Sequence, residues 1–145
     1  MHARVQVDLV VNAPVERVFD FISDLDRHLQ WITGLTYVSR TGKLEVGMEY
    51  LSKNSALGRE LIGQQRVLRV EPNRTVEIES RARPLESVIE FNTTEFKGST
   101  RVSATLLVRS DHPVFGLARP LLESLMTSRL EGDLRNLKAL VEAAV

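Results

Sequence analysis

Cysteine does not occur anywhere in this sequence of 145 residues. Without thiols the chain cannot form disulfides, use a thiolate nucleophile or bind a metal through sulfur. The absence agrees with a reducing cytoplasm, which is the location we expect. Net charge is absent too, because nineteen Lys and Arg residues balance nineteen Asp and Glu residues. A surface that binds nucleic acid needs a basic excess, so no nucleic-acid partner is expected.

Long hydrophobic runs are also missing. The N-terminus, MHARVQVDLVV, has no signal-peptide core followed by a small-residue cleavage site. No apolar run is long enough to span a bilayer, so no stable membrane insertion is expected. The hydrophobic content of 43% and the charged content of 26% are ordinary for a globular protein. We therefore predict one soluble, intracellular domain that covers residues 1–145.

One segment, residues 120–144, is long enough and periodic enough to be a major helix. Its apolar residues recur at spacings of three and four, which is typical of one helical face. Such a helix is about 37 Å long, more than the core of a small domain needs. The apolar residues are Leu121, Leu122, Leu125, Met126, Leu130, Leu134, Leu137 and Val141.

The chain before that helix begins with a strand and two short helices. Residues 4–11 alternate between apolar and polar, and Asn12-Ala13-Pro14 then breaks the strand. Asn12 or Ala13 is the expected cap of a short helix that follows. Asp24 is the predicted N-cap of a second short helix, residues 25–32, which Thr33-Gly34 ends.

Six further strand patterns follow at hairpin spacing, separated by turn sequences that contain Gly or Pro. Short connections between successive strands imply antiparallel pairing. A short helical turn, residues 114–118, precedes the long helix. A curved antiparallel sheet wrapped on that helix would cover all of these apolar faces. The predicted strands are residues 35–40, 48–56, 60–71, 75–82, 87–95 and 101–109, and Leu57-Gly58 is one of the predicted turns.

Three local patterns accompany this order of elements. They are APVERVF at residues 13–19, the residues Asp24, Trp31 and Gly34 around the second short helix, and VGMEY at residues 46–50. Together with the element order they resemble the START/Bet v 1-like superfamily (SRPBCC), in particular its polyketide cyclase/dehydrase-type branch.

The resemblance implies an α+β helix-grip fold. In that fold a curved seven-stranded antiparallel sheet wraps around a long C-terminal helix, two short helices follow strand 1, and a hydrophobic cavity lies inside. Members bind lipids, aromatic compounds or polyketide-like molecules, and a few are cyclases, aromatases or dehydratases. The family has no universal catalytic residue, so the resemblance assigns none here.

Four polar residues share strand faces with apolar neighbours. Asn54 lies on the same face as Tyr50, and Thr93 lies on the same face as Phe91. A polar group that faces a dry core costs about 1–3 kcal/mol unless it is hydrogen-bonded. A face that lines a ligand cavity explains four such residues, although wet strand ends or a bulge are the alternative. The predicted ligand-binding strand residues are Tyr50, Asn54, Gln65, Ser80, Phe91 and Thr93.

The long helix has the same feature. Stepping about 100° per residue from Leu121, the stripe that contains Leu122, Leu125 and Met126 centres near 70°. Arg129 at about 80° and Asp133 at about 120° lie inside that stripe. We predict that Leu122, Leu125, Met126 and Arg129 are the ligand-binding residues of this helix, and that Arg129 offers its guanidinium to an anionic or carbonyl group of a ligand. The alternatives are an ion pair with Asp133, or an apolar stripe that drifts around the helix.

The remaining candidates are aromatic residues and histidines. Trp31 and Tyr37 could stack on a ligand at the cavity mouth, although a lone Trp is more often a packing residue. His2, His28 and His112 lack metal-ligand spacing and are expected at the surface. No metal site and no cofactor are expected.

Three functional hypotheses remain open. The first is binding of a small hydrophobic or amphipathic ligand, such as a lipid, an aromatic or a polyketide-like molecule, in the cavity. The second is a cyclase, aromatase or dehydratase that uses the same cavity without a metal or organic cofactor, with Arg129, Tyr50 or Gln65 polarising a carbonyl. The third is a protein-interaction or chaperone-accessory module. A monomer or a homodimer is expected.

Overall fold

The computed structural model describes residues 1–56 and 58–143. Leu57 of the predicted turn, and Ala144 at the end of the predicted long helix, lie outside the described residues. The described chain forms seven strands and four helices. In chain order they are β1 (His2–Val11), α1 (Val15–Ile22), α2 (Leu25–Trp31), β2 (Leu35–Val38), β3 (Glu49–Ala56), β4 (Arg59–Glu71), β5 (Thr75–Ala82), β6 (Leu85–Phe96), β7 (Ser99–Arg109), α3 (Pro113–Leu117) and α4 (Arg119–Ala143).

The seven strands form one antiparallel sheet in the order β1-β7-β6-β5-β4-β3-β2. Strands β2 to β7 follow one another as neighbours; short turns join β3 to β7 in succession, and a ten-residue connection joins β2 to β3. Strand β1 pairs with β7, so β1 and β2 lie at opposite edges, and α1 and α2 connect these two edges. The long helix α4 packs against β1, α1 and α2. The predicted helix-grip α+β fold is confirmed.

Strand β1 shows why the alternating pattern was informative. Ala3, Val5 and Val11 are buried, whereas Arg4 and Gln6 between them are exposed. Successive side chains of a strand point to opposite faces, so one face of β1 contributes to the core and the other meets solvent. The predicted parity of this strand is confirmed.

The two short helices form where they were predicted, but the first has a different cap. The N-cap of α1 is Pro14, with φ −61° and ψ 149° and no side-chain hydrogen bond. The prediction of Asn12 or Ala13 is wrong, because the fixed φ of proline already suits the entry to a helix. The N-cap of α2 is Asp24 as predicted, and its Oδ1 accepts a hydrogen bond from Asp26 N at 3.0 Å.

Three strand boundaries differ from prediction for identifiable reasons. Strand β2 ends at Val38, because the Ser39 hydroxyl accepts the Leu51 N–H at 2.8 Å in place of a backbone carbonyl. Strands β6 and β7 extend up to a tight Lys97-Gly98 turn in which both residues have positive φ, 51° and 81°. This geometry matches the right-handed twist of the two strands.

Helix α4 buries its second half and exposes much of its first. Leu130, Leu134, Leu137 and Val141 are buried, whereas Leu121 is 64% exposed. The first half of the predicted apolar face is therefore largely uncovered by the described chain, and a drift of the stripe stays a prediction. None of the helices in residues 1–56 and 58–143 is long and apolar enough to cross a membrane.

Candidate functional site

A cavity of about 290 Å³ lies between the sheet, α2 and α4. Its walls are mainly apolar, and its polar side chains come from α2, α4 and strands β3 to β6. The lining residues are His28, Ile32, Leu35, Val38, Tyr50, Ser52, Asn54, Leu61, Gly63, Gln65, Ile78, Ser80, Ala82, Ser87, Ile89, Phe91, Leu106, Met126, Arg129, Leu130 and Asp133.

Seven of the eleven residues predicted to bind a ligand line this cavity. On the strands, the face defined by their parity turns towards α4 and encloses the space. On α4, the lining residues lie one turn apart. The seven are Tyr50, Asn54, Gln65, Ser80, Phe91, Met126 and Arg129. A ligand-binding role for each of them stays a prediction.

The other four predicted residues lie away from the cavity. Tyr37 is 46% exposed on β2, and the Lys53 ammonium lies 5.4 Å from its ring centre. Thr93 is buried beyond Phe91, and its N–H donates to Arg74 O at 2.8 Å. Leu122 is half-buried and Leu125 is 45% exposed, because the first half of α4 is only partly covered.

Three polar side chains on neighbouring strands form one hydrogen-bonded cluster in the cavity wall. Gln65 Nε2 lies 2.9 Å from Ser52 Oγ and 2.8 Å from Ser80 Oγ. A Cβ atom on Gly63 would lie 2.7 Å from Gln65 Nε2, so the glycine makes room for the amide. Because these polar groups satisfy one another, the cluster can line an apolar space without a large desolvation cost.

Arg129 and Asp133 of α4 hold the turn between α2 and β2 through one residue, Thr33. The Asp133 carboxylate accepts the Thr33 N–H at 2.7 Å, and the Arg129 guanidinium donates to the Thr33 carbonyl oxygen. We call this pair of bonds the Thr33 clamp. Within the described ranges, Arg129 and Asp133 do not approach within 4 Å as an ion pair, so the predicted ion-pair alternative is wrong.

The environment of the Thr33 clamp changes the acidity of Asp133. The side chain is 7% exposed, and burial raises the pKa of its carboxyl above the usual range. The Thr33 hydrogen bonds and the Arg129 charge act in the opposite direction on this pKa, but burial has the larger effect. Gly34 follows with φ 80°, and a Cβ there would lie 2.5 Å from Arg129 Nη2 and 2.6 Å from Ser55 O. The turn therefore requires glycine.

His28 is the cavity residue whose role was predicted wrongly. It was expected at the surface, but it is 2% exposed, and its Nε2 lies 2.7 Å from the Ile22 carbonyl oxygen. Burial lowers the pKa of the imidazole, although the Ile22 carbonyl and the charge of Asp24 oppose this shift. The helical spacing of α2 could have predicted this burial, because Leu25 and His28 lie three residues apart on its buried face.

Tyr50 also brings a polar group to the cavity. The side chain is 7% exposed, and burial raises the pKa of its phenol well above the usual range. The hydroxyl therefore stays protonated at neutral pH and can donate or accept a hydrogen bond. In the part of the chain that the structure describes, no group of three His, Asp or Glu side chains is arranged to hold a metal ion.

Comparisons with known proteins agree with this architecture. A family model described as polyketide cyclase/dehydrase and lipid transport matches residues 2–142. No curated protein matches the chain.

Solved structures extend the comparison. The chain is similar to the protein TTHA0849 from Thermus thermophilus, with a TM-score of 0.83 and 21% identity over 97% of this chain and 98% of that chain. It is also similar to the aromatase/cyclase Zhui from Streptomyces sp. R1128, with a TM-score of 0.82 and 15% identity over 98% and 94%. The di-domain ARO/CYC StfQ from the steffimycin biosynthetic pathway matches with a TM-score of 0.83 and 13% identity over 100% of this chain and 53% of that chain. Identities this low show a shared fold, and a shared fold does not by itself transfer an activity.

Proposed function

Because the chain belongs to the polyketide cyclase/dehydrase and lipid transport family, we propose that its cavity binds a small hydrophobic or amphipathic molecule. The observation that supports this most is the cavity of about 290 Å³ between sheet and helix, which combines apolar walls with a few convergent polar groups. Small-molecule sites have this composition, in which the apolar walls supply affinity and the polar groups fix orientation.

The volume bounds the size of the ligand. An apolar cavity of about 150 Å³ accommodates a single benzene ring. A cavity of about 290 Å³ is therefore suited to a molecule of roughly two fused rings, or to an aliphatic segment of similar volume. A long lipid chain would need the cavity to enlarge.

Polar groups at two places in the wall could orient such a molecule. One place is the Ser52–Gln65–Ser80 cluster on strands β3 to β5. The other combines His28 of α2 with Arg129 and Asp133 of α4. An amphipathic ligand with a polar atom at either end could satisfy both places, while its rings contact apolar lining residues such as Phe91 and Ile89.

The second candidate function, a cyclase or dehydratase, is favoured by one observation. The cavity contains a neutral imidazole, a buried carboxyl and a guanidinium, which are groups that can move or stabilise charge during proton transfer. Turnover of a cyclisable poly-carbonyl compound, lost in the His28→Gln and Asp133→Asn variants, would favour this candidate over binding alone.

A matched pair of variants on β5 tests the binding proposal. Ala82 lines the cavity, whereas its neighbour Arg81 is exposed and points to the opposite face of the strand. Ala82→Trp fills the cavity with a large side chain, and Arg81→Trp adds the same side chain to the outer surface. We expect 2-naphthol, titrated by calorimetry, to bind wild type and Arg81→Trp but not Ala82→Trp.

Two further results bear on this test. Native mass spectrometry of the protein purified from its host would report the mass of any co-purifying ligand. Equal binding of 2-naphthol by Ala82→Trp and wild type, with both proteins folded by circular dichroism, would place the bound molecule outside the cavity and contradict the proposal.

A further inference from the structure

The two ring nitrogens of His28 differ, because Nε2 has a hydrogen-bond partner among the described residues and Nδ1 does not. Nε2 lies 2.7 Å from the Ile22 carbonyl oxygen. A carbonyl oxygen can only accept, so Nε2 carries the proton. In the neutral imidazole the other nitrogen, Nδ1, then has a lone pair and acts as an acceptor.

Nδ1 makes no hydrogen bond to any described residue. In residues 1–56 and 58–143, the fully buried side-chain atoms without a hydrogen-bond partner are Trp31 Nε1 and Thr93 Oγ1. Because Nδ1 has no partner in these residues and is not one of these atoms, part of its surface is accessible. The imidazole is 2% exposed and lines the cavity, and the open space next to it is therefore the cavity. A buried acceptor in this position is left without compensation unless something in the cavity donates to it.

The ring is also held rigidly. Trp31 contacts it edge to face with ring centres 5.4 Å apart, and Trp31 in turn contacts Phe91 at 5.5 Å in the same manner. Together with the Ile22 bond, these contacts fix the direction of the Nδ1 lone pair. A fixed acceptor discriminates between ligands more strongly than a mobile one, because it cannot turn away to find another partner.

From this geometry we propose that His28 Nδ1 accepts a hydrogen bond from a hydroxyl group of the cavity ligand. His28 is then a specificity-determining residue, and the ligand class is a ring compound, or a molecule of similar volume, that has a hydroxyl donor. This rests on the proposed function, since it requires a ligand in the cavity. Burial lowers the pKa of the imidazole, so the neutral form that accepts is the form present at neutral pH.

The preference for a ligand with a hydroxyl donor can be estimated, because leaving a buried acceptor unpaired costs more than forming its hydrogen bond gains. A ligand that lacks the donor leaves a desolvated acceptor unpaired, and sites built around such a group reject analogues that lack the partner. For one neutral hydrogen bond we expect a preference of about tenfold in Kd.

The test compares 2-naphthol with 2-fluoronaphthalene, which have the same rings and differ in the donor. We expect wild type to bind 2-naphthol about tenfold more tightly by calorimetry. In His28→Phe the ring is kept and the acceptor removed, so the two compounds should bind with equal Kd. In His28→Gln the amide can donate to Ile22 O and still offers an oxygen, so part of the preference should return.

Nitrogen-15 NMR on wild-type protein observes the Nδ1 atom of His28 directly, so this measurement needs no substitution that could alter the fold. On addition of 2-naphthol the Nδ1 resonance of His28 should shift in the direction of an acceptor that has gained a hydrogen bond, and 2-fluoronaphthalene should not produce this shift. Equal Kd values for the two compounds in wild type, or an unchanged Nδ1 resonance with 2-naphthol bound, would overturn the proposal for His28 alone. If neither compound binds, the cavity-binding proposal fails and this one fails with it.

Discussion

Replacing Gly34 by alanine should destabilise the protein far more than the same change at another glycine with the same backbone angle. Gly34 has φ 80° and Gly98 has φ 81°. Alanine in this left-handed region costs about 1–2 kcal/mol at either position. A Cβ on Gly98 meets no atom within 4 Å, so Gly98→Ala measures the backbone contribution alone.

At Gly34 two further contributions add to that value. The new Cβ would lie 2.6 Å from Ser55 O and 2.5 Å from Arg129 Nη2. Ser55 cannot move away freely, because its N–H donates to Gly34 O at 2.8 Å. Displacement of Arg129 breaks its bond to the Thr33 carbonyl, and a hydrogen bond from a charged donor contributes about 1.5–3 kcal/mol. We therefore expect Gly34→Ala to lower the free energy of unfolding by about 2.5–5 kcal/mol.

Urea denaturation of both variants and wild type, followed by circular dichroism, measures the difference. The double variant Gly34→Ala/Arg129→Ala adds a check, because removal of the guanidinium relieves one of the two close contacts. The two changes should therefore be less than additive. Equal destabilisation by Gly34→Ala and Gly98→Ala, within about 0.5 kcal/mol, would refute the idea that the clamp restricts this turn.

Two other predictions concern buried titratable groups. The pKa of the Asp133 carboxyl is raised by burial, so the native state retains its proton where the unfolded chain has lost it, and this group lowers stability as the pH rises above 3.8. Asp133→Asn should therefore be neutral or stabilising at pH 7 in thermal unfolding, whereas Asp133→Ala, which leaves the Thr33 N–H without an acceptor, should lose about 1–3 kcal/mol. The pKa of His28 is lowered, so below its ordinary value of 6.5 the unfolded chain binds a proton that the native state does not. Stability should fall by up to about 1.4 kcal/mol per pH unit as the pH decreases from there, and a His28→Gln protein that shows the same slope would contradict this.

Strand parity could be predicted from the sequence because it depends only on local geometry. The alternation along β3 to β6 placed Asn54, Gln65 and Ser80 on the inner face, and that is where they lie. Parity predicts which face of the sheet a residue lies on, but it does not predict whether that part of the face lines the cavity. Thr93 has the same parity as Phe91, yet it is buried outside the cavity, on a strand against which α1 packs.

The contacts of α4 could not be predicted for a related reason. Helical spacing identified Arg129 and Asp133 as polar residues within the apolar stripe, and it suggested that they pair with each other. Their actual partner is the backbone of Thr33, which is 96 residues away from Arg129 along the chain. The burial of His28 does not follow from its residue type, because histidine is only intermediate in burial, but it agrees with its spacing from Leu25 and Trp31 on α2. Contacts between residues so distant in the chain require the fold.

The Thr33 clamp also has a mechanical consequence. Because α4 grips Thr33 on both sides of its α-carbon, sliding the helix by one residue would break both bonds together. The clamp therefore couples the second half of α4 to the turn that joins α2 to β2. The Ser55–Gly34 bond connects the same turn to the end of β3, whereas no side-chain hydrogen bond among the described residues joins the first turns of α4 to another element. We therefore expect a ligand larger than the cavity to displace the wall near Met126 rather than the turn that the clamp holds.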